Sequence, residues 1–407
     1  MFPLVTGAYW QKSGYTHLSF LHQNIPEVKS KLPNIGQTIF TVMSQLAQNE
    51  KAINLSQGFP GFDCDSELQK LVSHFMQKGH NQYAPMSGMP KLREAIAEKT
   101  RKTLSINVDP DSEITVTSGA TEALFAAITA TVHAGDEVIV FEPAYDSYQP
   151  AIELSGGIPV FIPLTMPDFS IDWDLVKSKV SDKARLIIIN TPHNPSGYVW
   201  TSDDLAQLAA IVEDKCIYIL SDEVYEHIVF DGRKHLSLLS HPQLRKKSFV
   251  CSSFGKTFHI TGWKIGYCIA PKALTVELRK VHQYLTFSTS TPMQLAIAEY
   301  LEEESRYLKL SAFYQQKRDL FCEGLKSTPF KFFPAQGSFF QLVEYGHLTD
   351  CSDLDLAVRL TKENKVASIP ISVFYSGNQD PKMLRFCFAK RDEELLQALD
   401  RLQKANI

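Results

Sequence analysis

Residues 114–146, ITVTSGATEALFAAITATVHAGDEVIVFEPAYD, read as strand, glycine turn, helix and strand. Ile114–Thr117 and Glu137–Phe141 are short β-branched runs bounded by turn residues, the pattern of strands covered on both faces. Thr121–Val132 between them has helical periodicity. Working outward, Leu186–Asn190, Ile217–Ser221, Phe249–Ser252 and Gly266–Ala270 are further buried-strand runs, and Ser202–Glu213 is a further helix. Strands alternating with helices predict an α/β fold with a mostly parallel, doubly wound sheet.

The pattern changes near Ser288–Pro292. Thr291 is placed to cap a helix, Pro292 suits its first turn, and LAIAEYLEEE follows. Beyond Lys326 the expected elements are a strand at Ser338–Val343, a helix capped by Ser352, and strands at Val366–Ile369 and Leu384–Phe388. A last amphipathic helix starts at about Arg391, which completes a smaller α+β domain. The first ~30 residues have weak periodicity and read as an arm.

Composition narrows the function classes. The chain has 407 residues, enough for two or three domains and a large core without disulfides or a structural metal. Its 41 Lys and Arg against 45 Asp and Glu give a net charge of −4, so nothing in bulk charge favours nucleic acid or an anionic membrane. The 7 cysteines are scattered, with no CxxC and no metal-ligand spacing, so no metal is expected. The first twenty residues lack a basic n-region and a continuous apolar run, so they do not read as a signal peptide, and no segment is apolar enough to span a membrane. A cytoplasmic location is expected.

In an open α/β sheet, ligands bind beyond the carboxyl ends of the strands. After Ile114–Thr117 comes Ser118-Gly119-Ala120-Thr121, a helix start suited to an anion, with Ser118 or Thr121 as the alternative of a plain cap. After Glu137–Phe141 comes Tyr145, an aromatic able to stack on a flat ligand. After Leu186–Asn190 comes Asn194 between prolines. After Ile217–Ser221 come Asp222 and Tyr225, and a carboxylate there needs a partner. After Phe249–Ser252 come Ser253 and Lys256, the lysine in a stretch with little other charge. Singly, each is more often a cap, a core residue, a turn or a surface lysine. Jointly they match one ligand, pyridoxal 5′-phosphate. Its aldehyde needs a lysine, its ring nitrogen a carboxylate, its ring a stacking partner, and its phosphate N–H groups and a cation.

From about Leu32 onward the chain resembles the class I/II aminotransferases of PLP fold type I. The resemblance rests on Asn54-Leu55-Ser56-Gln57-Gly58-Phe59-Pro60, Gln82-Tyr83 with Gly88, Leu92-Arg93-Glu94-Ala95-Ile96, Ser118–Ala123, Asn194-Pro195-Ser196-Gly197, Ser221–Tyr225, Ser253–Thr257 and Leu384-Arg385-Phe386. Within the family it looks most like methionine aminotransferases, a likeness favoured by Val281–Ser288, and next like the kynurenine aminotransferase and glutamine transaminase K group.

The resemblance implies residue roles. Lys256 bonds the cofactor aldehyde and shuttles the proton between Cα and C4′, and Asp222 pairs with the ring nitrogen. Tyr225 and Asn194 contact the 3′-oxygen, and Tyr145 stacks on the ring. Gly119, Ala120 and Thr121 cradle the phosphate, with Ser253 and with Lys264 where many relatives carry arginine. Tyr83 reaches the phosphate of a neighbouring subunit, which implies a homodimer with shared sites. Arg385 grips the substrate carboxylate, helped by the backbone of Gly58 and the side chain of Asn194.

The expected division is 1–60 as arm and part of a small domain, 61–295 as the large cofactor domain, and 296–407 as the small C-terminal domain. The expected reaction moves the amino group of a neutral amino acid, methionine first and aromatics next, to a 2-oxo acid. The segment Phe287–Pro292 holds no arginine for a second carboxylate. Phe59, Tyr145, Phe287 and Ile371 are pocket candidates. The alternatives are a C–S β-lyase on the same cofactor residues, a kynurenine- or glutamine-type transaminase, or a non-enzymatic regulator. The last is disfavoured by the presence of Lys256 and Arg385.

Overall fold

The computed structural model describes residues 28–377 and 379–407. The sequence readings of an N-terminal arm and of a missing signal peptide fall almost wholly on residues 1–27, outside the described residues. In chain order the strands are β1 (Ile53–Asn54), β2 (Ile114–Thr117), β3 (Glu137–Glu142), β4 (Ile158–Pro163), β5 (Ala184–Asn190), β6 (Tyr218–Asp222), β7 (Ser248–Ser253), β8 (Gly266–Ile269), β9 (Phe340–Glu344), β10 (Val366–Ala367), β11 (Ile369–Pro370) and β12 (Met383–Cys387).

Seven of them form one sheet in the order β2-β8-β7-β6-β5-β3-β4. β7, β6, β5, β3 and β4 pair in parallel, and β8 lies antiparallel between β2 and β7. The sheet is therefore mostly parallel, as expected. Alternate residues of β3 point to opposite faces: Ile139 and Phe141 join one apolar cluster, Val138 and Val140 the other. β5 divides likewise, Ile187 and Ile189 against Leu186 and Ile188. Both faces are buried, so these strands are continuously apolar rather than alternating. The helix Gly119–Thr131 meets one face through Ala123, Ala126 and Ala127, whose small side chains allow close approach.

Differences from the sequence reading have local causes. β4 was not expected, because Pro159 and Pro163 argue against a strand; it pairs only with β3, and an edge tolerates proline. The helix after β2 starts at Gly119 rather than Thr121. β6 ends on Asp222, so that carboxylate is the strand's last residue rather than the first beyond it. Ser290, not Thr291, takes the N-cap position of the helix Thr291–Tyr300, and the Thr291 hydroxyl instead donates to the Gln82 carbonyl at 2.6 Å. The expected strand Val366–Ile369 is two strands. β10 pairs in parallel with β1, and β11 pairs antiparallel with β12, so the chain changes partner at Ser368.

β11-β12-β9 form a second sheet with Arg385 at the middle of its central strand. Ser352 caps the helix Asp353–Arg359 as expected, accepting from the Asp355 N–H at 3.1 Å. The last helix is Asp392–Gln403. No helix among the described residues is long and apolar enough to cross a membrane.

Candidate active site

The carboxyl ends of the parallel strands open on a cavity of about 360 Å³. β2, β3, β5, β6 and β7 each deliver a piece of its wall. After β2, Ser118 is at the N-cap position of the helix but makes no side-chain cap bond, and Gly119, Ala120 and Thr121 line the cavity. First-turn N–H groups have no partner within a helix, so this end is suited to an anion. Gly119 has φ +72°, and a Cβ on it would lie 3.3 Å from Lys264 Nζ. A Cβ on Gly266 would come within 2.7 Å of the Ala120 nitrogen. The two glycines therefore let the lysine and the helix end close around a small space. Ser253 ends β7 and lines the same corner.

Asp222 is 4% exposed. Tyr148 Oη donates to its Oδ2 at 2.8 Å, and the Val224 N–H to its Oδ1 at 3.3 Å. Burial pushes its carboxyl up to about 6, with Tyr148, Val224 and Lys256 pulling the other way. One strand away, the Asn190 amide donates to the Asp222 carbonyl at 2.9 Å and accepts the Asn194 N–H at 2.7 Å. This brace fixes Asn194, whose Oδ1 accepts from Arg385 Nη1 at 2.7 Å.

Arg385 is 1% exposed, and its second prong, Nη2, donates to the Ser56 carbonyl at 3.1 Å. Phe340, Phe374 and Phe40 surround the guanidinium, with ring centres 3.9, 5.1 and 5.4 Å from its carbon. Burial lowers it to about 10, still charged at neutral pH. Among the described residues its Nε has no hydrogen-bond partner.

Lys256 Nζ donates to the Gly58 carbonyl at 2.8 Å and lies 5.2 Å from the Phe339 ring centre. Burial lowers the amine to about 8, with Arg385 and Lys264 adding to the effect against Cys387 and Asp222. Tyr225, 3% exposed, is held edge-on against Phe339 at 5.1 Å and has its hydroxyl pushed well above the usual tyrosine value by burial. Tyr145 lines the cavity and meets Tyr148 edge-on at 5.6 Å.

Lys256, Asp222, Tyr225, Gly119, Ala120, Thr121, Tyr145, Asn194, Ser253, Lys264, Gly58 and Arg385 thus share one cavity wall. Tyr83 does not: it is 85% exposed and packs on Phe287, ring centres 5.4 Å apart. The Gly58 carbonyl is bound by Lys256, and Ser56 supplies the carbonyl that braces Arg385. Of the four pocket candidates only Tyr145 lines the cavity. Phe59 is outward-facing with Lys390 over its ring, Ile371 is fully buried, and Phe287 sits with Tyr83. The sequence reading missed Phe40, Asp146, Asn190 and Phe340 in the wall, and Tyr148 behind Asp222. Asn190 had a usable signal, since an Asn four residues before a proline-flanked Asn can bond its backbone. Phe40 and Phe340 come from distant segments and had none.

The arrangement fits pyridoxal 5′-phosphate. A glycine-lined anion corner with Lys264, a buried carboxylate in the cavity wall, and an amine that donates to a carbonyl match its phosphate, ring nitrogen and aldehyde. Among the described residues no cluster of His, Cys, Asp or Glu is placed to hold a metal ion.

Comparison with known proteins agrees. The family of Aminotransferase class I and II matches residues 50–402. The chain is 52% identical over 377 residues to the methionine aminotransferase of Escherichia coli strain K12, covering 92% of this chain and 98% of that one. It is 34% identical to kynurenine–oxoglutarate transaminase 3 of Rattus norvegicus, covering 90% and 87%. The crystal structure of Escherichia coli YbdL, a protein identified as having methionine aminotransferase function, superposes with a TM-score of 0.91 at 51% identity, covering 93% of this chain and 100% of that one. The chain belongs to the class I and II aminotransferases and is a pyridoxal 5′-phosphate-dependent transaminase of fold type I.

Proposed function

We propose that this transaminase takes its amino group from neutral amino acids, methionine first and aromatic donors next, and gives it to a 2-oxo acid. The observation that carries the reading is the charge of the pocket. Among the described residues its cations are Lys256, Lys264 and Arg385, and the first two belong to the cofactor's aldehyde and phosphate corners. That leaves one cation for substrate, enough for an α-carboxylate and not for a second acid group. Phe40 and Phe340 supply apolar wall beside it. The similarity to a methionine aminotransferase supports the same choice.

In this reading Arg385 binds the substrate carboxylate, with Asn194 and Ser56 holding its orientation. Lys256 Nζ takes the proton from the substrate Cα and returns it on the other side of the transfer. Asp222 holds the proton on the ring nitrogen, Tyr225 and Asn194 serve the 3′-oxygen, and Tyr145 covers the ring. Gly119, Ala120, Thr121, Ser253 and Lys264 hold the phosphate. Bound pyridoxal phosphate supplies the electron sink that makes the Cα proton acidic. Arg385→Lys is expected to lower kcat/KM for every donor alike, by about ten- to a hundredfold, because an ammonium cannot make the two-pronged bond. Steady-state kinetics on methionine and phenylalanine check this; an unchanged value would remove Arg385 from carboxylate binding.

We further propose a homodimer with shared sites. Tyr83, 85% exposed, packs on Phe287, and Tyr284 and Leu285, at the end of the helix just before Phe287, are 91% and 46% exposed, apolar and aromatic surface that a second copy would cover. Tyr83 would then complete the phosphate corner of the other copy. Sedimentation should give a dimer at assay concentration; a fully active monomer would contradict it. The proposed division of the chain remains 1–60, 61–295 and 296–407, supported by the pairing of β1 with β10. Seven free cysteines suit a reducing cytoplasm.

A further inference from the structure

Glu122 lies in the first turn of the helix that begins at Gly119, and it is 8% exposed. One of its oxygens accepts the Ser118 N–H. The other is 2.5 Å from His282 Nδ1. His282 is fully buried, and its Nε2 faces the Met86 carbonyl at 2.8 Å. A carbonyl only accepts, so Nε2 carries a proton. The Nδ1 to carboxylate contact must then hold one further proton, whichever of the two atoms it sits on. In either arrangement the pair has no net charge.

That proton has a consequence for the phosphate corner. A bare carboxylate in the first turn competes with a bound phosphate for the same positive helix end and repels it. The pair also joins three segments. Glu122 belongs to the phosphate helix, Met86 to the loop that begins near Tyr83, and His282 accepts the Phe287 N–H on its own carbonyl at 2.9 Å.

We propose that Glu122 and His282 are positioning residues for the cofactor phosphate. His282 neutralises the carboxylate behind the phosphate corner and fixes that corner to the loops carrying Tyr83 and Phe287. The inference rests on the phosphate assignment made above. Glu122→Gln tests it cleanly, because the Gln amide can donate to Nδ1 while its oxygen still accepts from Ser118, with no charge to neutralise.

The experiment titrates the full chain, freed of cofactor, with pyridoxal phosphate and with pyridoxal, reading the cofactor's absorbance. His282→Phe should weaken pyridoxal phosphate by about tenfold or more, since it leaves a buried carboxylate without its partner. Glu122→Gln should bind within about threefold of the unaltered chain, and the double variant E122Q/H282F should recover most of the loss. Pyridoxal, which has no phosphate, should bind all of these alike. Equal losses in His282→Phe and the double variant, or no loss in either, would overturn the proposal, as would a tenfold loss in Glu122→Gln. The last holds even if His282→Phe fails to fold. Lys264→Met is the separate control for the phosphate assignment: it should weaken pyridoxal phosphate and leave pyridoxal unchanged.

Discussion

Replacing Lys256 with alanine is expected to lower turnover by on the order of 10⁴-fold and to leave a protein that no longer holds its cofactor covalently. Two jobs end together, the bond to the aldehyde and the proton transfer at the substrate Cα. The environment of Lys256 prepares it for both. Burial brings its amine down to about 8, so a sizeable fraction is neutral and nucleophilic near physiological pH. Its hydrogen bond is to the neutral Gly58 carbonyl, and burial outweighs the pull of Asp222 toward the ammonium form. The check is single-turnover kinetics with the visible spectrum of the purified variant. A variant that transaminates normally would take Lys256 out of the site.

Asp222→Asn should cost on the order of a hundredfold in kcat or more while the fold survives. An amide keeps the shape and cannot hold a proton on the ring nitrogen. The ionised form of Asp222 is the useful one, and in the free protein burial raises its pKa to about 6 while Tyr148 Oη lowers it. Tyr148→Phe removes a donor that favours the charged form, so the pKa rises further. The acid limb of pyridoxal phosphate binding to the cofactor-free protein should then move to higher pH. A pH profile unchanged in Tyr148→Phe would make Tyr148 a packing residue only, and normal kcat in Asp222→Asn would end the electron-sink role of Asp222.

Much of this site was legible in the chain because its residues follow successive strands of one sheet. Asp222, Lys256, Asn194 and the Ser118–Thr121 run sit at strand ends, and a buried parallel strand announces itself by a short apolar run. What was not legible depends on packing between distant segments. Tyr148 bonds Asp222 across 74 positions. Phe40 and Phe340 reach the Arg385 guanidinium from a helix near residue 40 and from β9. Ile371 has the residue type of a pocket wall and is core, and Phe59 has it and faces outward. The exposed edge strand β4 was lost for a different reason, since two prolines hide a strand that has one partner. Arg385 was found through the resemblance, whereas its bracing by Ser56 came from the fold.

Among the described residues this transaminase offers its substrate one cation, Arg385. Aspartate in that pocket would leave its second carboxylate desolvated and unpaired, at a cost of several kcal/mol, or about a hundredfold or more in rate. Asp146, which lines the pocket, adds like charge. The measurement is kcat/KM for methionine and for aspartate against the same 2-oxo acid, following amino-group arrival on the acceptor. The expected result is efficient transfer from methionine and a ratio of about a hundred or more in its favour. Aspartate equal to or better than methionine would contradict the account, and so would release of ammonia with no amino group reaching the acceptor.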